Sequence, residues 1–170
     1  MNIFLIGYMG SGKSSVGSKL AAKLNMPFID LDDYIEKKES KSIGEIFELD
    51  GEASFREKER ACLNEVLTHE NTVISVGGGT VCYFDNMKLI NTNGISIYLK
   101  ASVDTIFNRL KNAKTKRPLF DKNKTEEETK EYISEHLLNR ETFYLQATYK
   151  VKAKNINVGE LADFIKKEIQ

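Results

Sequence analysis

The chain has 170 residues, 41% of them hydrophobic, and its 25 Lys and Arg balance 25 Asp and Glu. That length buries the core of one domain, 1–170, without disulfides or a structural metal, and the composition excludes wholesale disorder. A net charge of zero excludes a global basic field for nucleic acid or a membrane surface, so local groups must hold any anionic ligand.

Short apolar runs alternate with amphipathic helical stretches, which predicts an α/β fold on a mainly parallel sheet. Residues 3–6 read as a buried strand ending at Gly7, followed from Ser14 by a helix with Val16, Leu20 and Leu24 on one face. Residues 27–29 make a second strand, closed by Asp30-Leu31-Asp32-Asp33. A polar helical span, 34–69, is expected to break near Gly44 and Gly51, with Ser42/Glu45 and Ser54/Glu57 at capping-box spacing. Residues 72–76 form an apolar strand running into Gly77-Gly78-Gly79, and 95–99 another, after which Ser102 starts a helix carrying Ile106 and Leu110. The stretch 111–124 is rich in Lys, Asn, Thr and Asp around Arg117-Pro118-Leu119-Phe120, too polar for core and too long for a tight turn, and reads as a flap. Thr125 with Glu128 caps a long helix reaching about Ala147; a strand at 149–151 and a helix with Leu161, Phe164, Ile165 and Ile169 complete the domain. His69 and His136 belong to no motif and are expected to be exposed on helices.

Two cysteines, Cys62 and Cys82, lack metal-ligand spacing and read as reduced thiols of a cytoplasmic protein. The opening residues lack the charged leader and apolar run of a signal peptide, and no apolar run is long enough to span a bilayer.

The segment Gly7-Tyr-Met-Gly10-Ser11-Gly12-Lys13-Ser14 fits GxxxxGK[ST] between a strand and a helix. Glycines let backbone N–H groups turn around phosphate oxygens, and the helix N-terminus adds its positive end. In such a loop Lys13 reaches the β- and γ-phosphates and the Ser14 hydroxyl ligates Mg²⁺. The triple glycine at 77–79 is weaker: the third glycine of a dinucleotide fingerprint is replaced by Cys82, so a Rossmann reading fails.

A phosphoryl donor needs an acceptor, and an acceptor hydroxyl needs a carboxylate to place it and take its proton. Asp30 and Asp32 stand at the end of the second strand, facing the same crevice as the phosphate loop; either could equally cap the next helix. The five arginines (56, 60, 109, 117 and 140) stand out in a lysine-rich chain, because the planar guanidinium fork suits a carboxylate or a phosphate.

Taken in order, GYMGSGKSSVG, DLD, SFREKE, VISVGGG, KRPLF and LNRETFY resemble the shikimate kinase family over nearly the whole chain. That resemblance implies a three-layer α/β/α P-loop kinase with a five-stranded parallel sheet, a helical substrate-binding segment at about 31–60 and a lid at about 111–124. It implies Asp32 as the base on the acceptor hydroxyl, Asp30 acting with Ser14 on Mg²⁺, and Arg56 and Arg140 gripping the substrate carboxylate. Gly78, with Gly77 and Gly79, would offer backbone to the substrate. Gly10, Ser11, Gly12, Lys13, Ser14 and Ser15 would cradle ATP, with Arg109 near adenine and Arg117 on the transferring phosphate. Ser75 occupies the place where many P-loop proteins carry a magnesium-linked Asp. The expected activity is Mg·ATP-dependent phosphorylation of shikimate by a cytoplasmic monomer that uses neither nucleic acid nor membrane. Two rivals differ in kind. One is another small-metabolite kinase on the same scaffold, gluconate-like or nucleotide-directed, although no base-reading set is evident for a nucleotide acceptor. The other is a nucleotide-binding module without turnover, which need not keep Lys13, Ser14, Asp32 and Arg117 together.

Overall fold

The computed structural model describes residues 1–113 and 125–168. Five strands, β1 (Asn2–Ile6), β2 (Phe28–Asp30), β3 (Val73–Ser75), β4 (Gly94–Lys100) and β5 (Tyr149–Lys152), form one parallel sheet in the order β2-β3-β1-β4-β5. Every residue of β1 and β3 is buried. Since alternate side chains point to opposite faces, both faces of the sheet centre are covered, as a parallel sheet requires.

The covering elements are α1 (Lys13–Leu24), α2 (Leu31–Glu39), α3 (Ile43–Val66), α4 (Asn86–Asn93), α5 (Val103–Lys111), α6 (Glu126–Tyr144) and α7 (Val158–Glu168). α1 packs on α7 and β3, α2 on α3, and α5 on α6. Close approach of α1 to the sheet depends on Gly17, where a Cβ would lie 2.5 Å from Phe28 Cε2. The connections from β1 and β3 leave in opposite directions, toward β2 and β4 respectively, so a crevice opens beyond the carboxyl ends of these neighbouring strands.

Capping residues fix several helix starts. Ser42/Glu45 and Thr125/Glu128 form complete capping boxes, and Ser102 accepts from the Thr105 N–H. The break expected near Gly44 falls instead at residues 40–42, because Ser40 ends α2 in the left-handed region and Ser42 caps α3, leaving Gly44 inside the helix. Gly51 does interrupt α3, at φ 78°, ψ 169°. Helical geometry resumes immediately after it, so Ser54 and Glu57 lie within the helix and form no cap. Two elements have no counterpart in the sequence reading: a 3₁₀ turn at Thr80–Cys82 and α4, which begins without a side-chain cap. α6 ends at Tyr144, three residues before the expected Ala147. Cys62 is buried, Cys82 half-buried, and both are free. No described helix is long and apolar enough to cross a membrane.

Candidate active site

Three connections converge on the crevice: the loop after β1, the start of α2 after β2, and the triple glycine after β3. In the first, Gly10 (φ 76°) and Gly12 (φ 97°) take left-handed conformations that other residues adopt rarely, and a Cβ at Gly10 would also press on Leu110 at 3.2 Å. The Lys13 ammonium is drawn back over the loop, donating to the Gly7 carbonyl at 2.9 Å and the Tyr8 carbonyl at 3.1 Å. Ser11 Oγ is buried without a hydrogen-bond partner among the described residues. A concave loop of turned amides with a lysine and an unsatisfied hydroxyl suits an anion such as a phosphate chain.

Arg109 fastens this loop to the opposite edge of the sheet. One guanidinium nitrogen donates to the Gly10 and Ser11 carbonyls at 3.2 and 2.6 Å, while another donates to the Ala153 carbonyl at 2.9 Å. Arg109 therefore links the phosphate loop to the segment 153–157.

At the end of β2, Asp30 fills two roles at once. Its Oδ1 accepts from the Asp32 N–H at 3.1 Å, capping α2, while Oδ2 accepts from the Ser14 hydroxyl at 2.6 Å. No cluster of three His, Cys, Asp or Glu able to hold a metal occurs among the described residues. The side-by-side oxygens of Ser14 and Asp30 suit Mg²⁺, which takes one or two protein oxygens and completes its shell with substrate phosphates and water. Ser75 lies in register with Leu5 on one side and Asp30 on the other, buried between the phosphate loop's strand and β2.

The triple glycine brings the remaining groups together by contact distance. A Cβ at Gly77 would lie 2.8 Å from Asp32 Oδ1, one at Gly78 3.1 Å from the Met9 amide nitrogen, and one at Gly79 2.8 Å from Arg56 Nη2. One turn without side chains therefore touches the exposed carboxylate, the phosphate loop and a guanidinium.

Arg56, 8% exposed, donates to Glu59 at 2.9 Å and Glu52 at 3.1 Å and lies over the ring of Tyr83, its Cζ 4.1 Å from the centroid. Glu59 (1% exposed) also accepts from the Thr80 hydroxyl at 2.5 Å, and Glu52 accepts from the Tyr83 hydroxyl at 2.8 Å. The Tyr83 bond first, and Arg56 second, hold the Glu52 carboxyl below the usual range. Arg140, half-buried on α6, lies with its Cζ 5.9 Å from the Tyr8 ring centroid.

Comparison with known proteins supplies the rest. The family model described as shikimate kinase matches residues 9–170. A shikimate kinase from Bacteroides thetaiotaomicron is 46% identical over 163 residues, covering 96% of this chain and 90% of its own. The chain belongs to the shikimate kinase family. A crystal structure of shikimate kinase from Bacteroides thetaiotaomicron superposes with a TM-score of 0.91 at 42% identity, covering 99% of this chain and 98% of its own. The structure of the Acinetobacter baumannii shikimate kinase in complex with shikimate gives 0.86 at 32% identity, with 99% and 92% covered. The five-stranded α/β P-loop kinase fold expected from the resemblance is the fold observed.

Of the residues singled out in sequence, the structure gathers Gly10 to Ser15, Asp30, Asp32, Arg56, Gly77 to Gly79 and Arg109 around one crevice. Arg117, and the proposed lid beyond its first residues 111–113, lie outside the described residues. His69 is exposed as expected but lies beyond the end of α3 rather than on a helix, and His136 is half-buried and bonded to the Tyr8 hydroxyl, because α6 packs that face toward the phosphate loop. Sequence reasoning also missed Glu52, Glu59, Thr80, Tyr83 and Tyr144. Only the glutamates carried a signal: they stand four before and three after Arg56, the spacing of helical ion pairs. A separate cavity of about 280 Å³ at the ends of β4 and β5, lined by Lys100, Ser102, Thr105, Lys152 and Lys154, includes none of these groups.

Proposed function

We propose that this chain transfers the γ-phosphoryl group of ATP to the 3-hydroxyl of shikimate, giving shikimate 3-phosphate and ADP in aromatic amino-acid biosynthesis. Family membership supports the activity. The observation that carries the site assignment is the triple glycine, which sets Asp32, the phosphate loop and Arg56 around one small volume. A ring hydroxyl lying on that turn meets a carboxylate on one side and the phosphate loop on the other.

In this reading Asp32 orients the acceptor hydroxyl and takes its proton as oxygen attacks phosphorus in line. Lys13, with the amides of the phosphate loop, carries the charge developing on the transferred group and on the departing ADP oxygen. Ser14 and Asp30 would hold Mg²⁺, which neutralises phosphate charge when bound. Arg56 and Arg140 bind the acceptor carboxylate from α3 and α6, and Gly77 to Gly79 admit the ring closely because they have no side chains. By resemblance, Arg117 adds a cation on the transferring phosphate, Arg109 lies beside adenine, 31–60 is the acceptor segment and 111–124 the lid. The same reading makes the protein a single-domain cytoplasmic monomer whose partner is a small molecule.

A coupled assay of ADP release with Mg·ATP tests this against shikimate, quinate, gluconate and the nucleoside monophosphates. Saturable turnover with shikimate alone, lost in Asp32→Ala, is the expected result. Turnover with another acceptor instead would discard the roles of Arg56 and Arg140. ATP binding without turnover on any acceptor would overturn the catalytic reading.

A further inference from the structure

Helix α6 carries His136, Arg140 and Tyr144 at four-residue spacing, stacked along one face. The two outer members are bonded to the phosphate loop and to the glycine turn, two segments that pack against each other. His136 Nδ1 lies 2.8 Å from the Tyr8 hydroxyl, with the two rings edge to face at 5.5 Å. Tyr144, fully buried, donates to the Gly78 carbonyl at 2.5 Å. Arg140 stands between them, over the Tyr8 ring. Tyr8 is itself a member of the phosphate loop, 1% exposed, and its carbonyl accepts from the Ser11 N–H and the Lys13 ammonium.

We propose that Tyr8 and His136 are positioning residues for the acceptor site: their hydrogen bond holds α6 in register against the phosphate loop and thereby aims the Arg140 guanidinium at the acceptor carboxylate. This rests on the assignment of Arg140 to that carboxylate. An arginine has a flexible stem, and its bidentate grip is useful only when the fork is oriented beforehand. Tyr144 fixes α6 on one side of Arg140; on the other, the Lys130–Asp104 ion pair ties the far end of α6 to α5, and the Tyr8 bond ties its middle to the phosphate loop.

The arrangement also has a protonation requirement. His136 faces Tyr8 of the phosphate loop, Tyr132 and Arg140 of its own helix, and Glu52 of α3. Burial first, and Arg140 second, hold its pKa below the ordinary histidine value, so the ring is neutral near pH 7, and in the tautomer protonated on Nε2 its Nδ1 accepts from Tyr8. Burial pushes the Tyr8 hydroxyl up to about 12, so it remains a donor throughout the working range. Acidification makes both ring nitrogens donors, so the Tyr8 hydroxyl must turn from donor to acceptor, and it sets a second cation beside Arg140.

The test is steady-state kinetics with shikimate and Mg·ATP across the acid range. The wild type is compared with Tyr8→Phe, His136→Phe, the double variant, His136→Gln and Arg140→Ala, with thermal unfolding of each. Tyr8→Phe and His136→Phe should each raise the KM for shikimate about 3–10-fold, the range of one lost hydrogen bond, and by more than they change kcat or the KM for ATP. The double variant should be no worse than either single one, and His136→Gln, which can still accept from Tyr8, should stay near wild type. The acid-side rise in KM should flatten in His136→Phe. Unchanged KM in folded Tyr8→Phe and His136→Phe, beside a raised KM in Arg140→Ala, would overturn this proposal while leaving the carboxylate assignment standing. Unchanged KM in Arg140→Ala would overturn both.

Discussion

The Ser14 hydroxyl donates to Asp30 Oδ2 at 2.6 Å, tying the first turn of α1 to the last residue of β2. Two oxygens are thereby held side by side at the mouth of the phosphate loop. Ser14→Ala removes one and leaves Asp30 held only through the Asp32 N–H. The expected result is a magnesium requirement raised about 10–100-fold, read as activity against Mg²⁺ concentration at fixed ATP. An unchanged magnesium curve would place the ion elsewhere.

Asp32 reaches the crevice beside Gly77. Asp32→Ala should lower kcat about 10²–10⁴-fold, the usual contribution of a positioned base. Gly77→Ala tests the same group indirectly. Its new Cβ would meet Asp32 Oδ1 at 2.8 Å and Thr80 Oγ1 at 2.9 Å, so the carboxylate must swing away. A displacement of that kind lowers kcat by up to about 10²-fold. Wild-type kcat in Gly77→Ala would mean that the orientation of Asp32 is immaterial.

Glu59 and Arg56 form a buried ion pair, with 1% and 9% of their side chains exposed. Removing one partner leaves the other charged and desolvated. Glu59→Ala should therefore destabilise the protein by about 3–5 kcal/mol. At about 2–4 °C per kcal/mol for a chain of this size, thermal unfolding will register the change. A Tm within a degree or so of wild type would show that water reaches Arg56 and replaces the carboxylate.

Glu52 makes a prediction about pH. Its carboxyl lies below the ordinary value of 4.5, chiefly through the Tyr83 hydroxyl bond and next through Arg56. Because the folded value is the lower one, its contribution to stability is present above the unfolded pKa and is lost as pH falls through the folded pKa. Thermal unfolding of wild type and Glu52→Gln should differ above the ordinary carboxylate value of 4.5 and converge as pH falls through the lower folded value. A constant gap would show that the Glu52 bond does not depend on ionisation.

Much of this was legible because several signals coincided at each place. The phosphate loop carries its glycines, lysine and serine between a buried strand and a helix, and the capping boxes at Ser42 and Thr125 form as their spacing requires. Asp30 and Asp32 were each readable as a cap or a site residue, and only coordinates separate the two: Asp30 caps α2 and bonds Ser14, while Asp32 faces the glycine turn. The Tyr8–His136 pair was invisible because 128 residues separate its members and no local pattern links them. α4 escaped because it is short and uncapped, and is specified by packing on β4 and on the 3₁₀ turn at Thr80–Cys82. Ser54 misled because helix resumes at once after Gly51, leaving no first turn for it to cap.

The strand order also dictates when the chain can fold. β2 hydrogen-bonds to β3, and β1 to β3 and β4, so neither of the first two strands has a sheet neighbour until residue 73 has been made. A growing chain emerging from the ribosome must therefore carry the finished phosphate loop and α1 through synthesis of more than a quarter of its length without a sheet beneath them. Pairings so distant in sequence close slowly, so the phosphate loop and α1 gain their sheet only with the late arrival of β3.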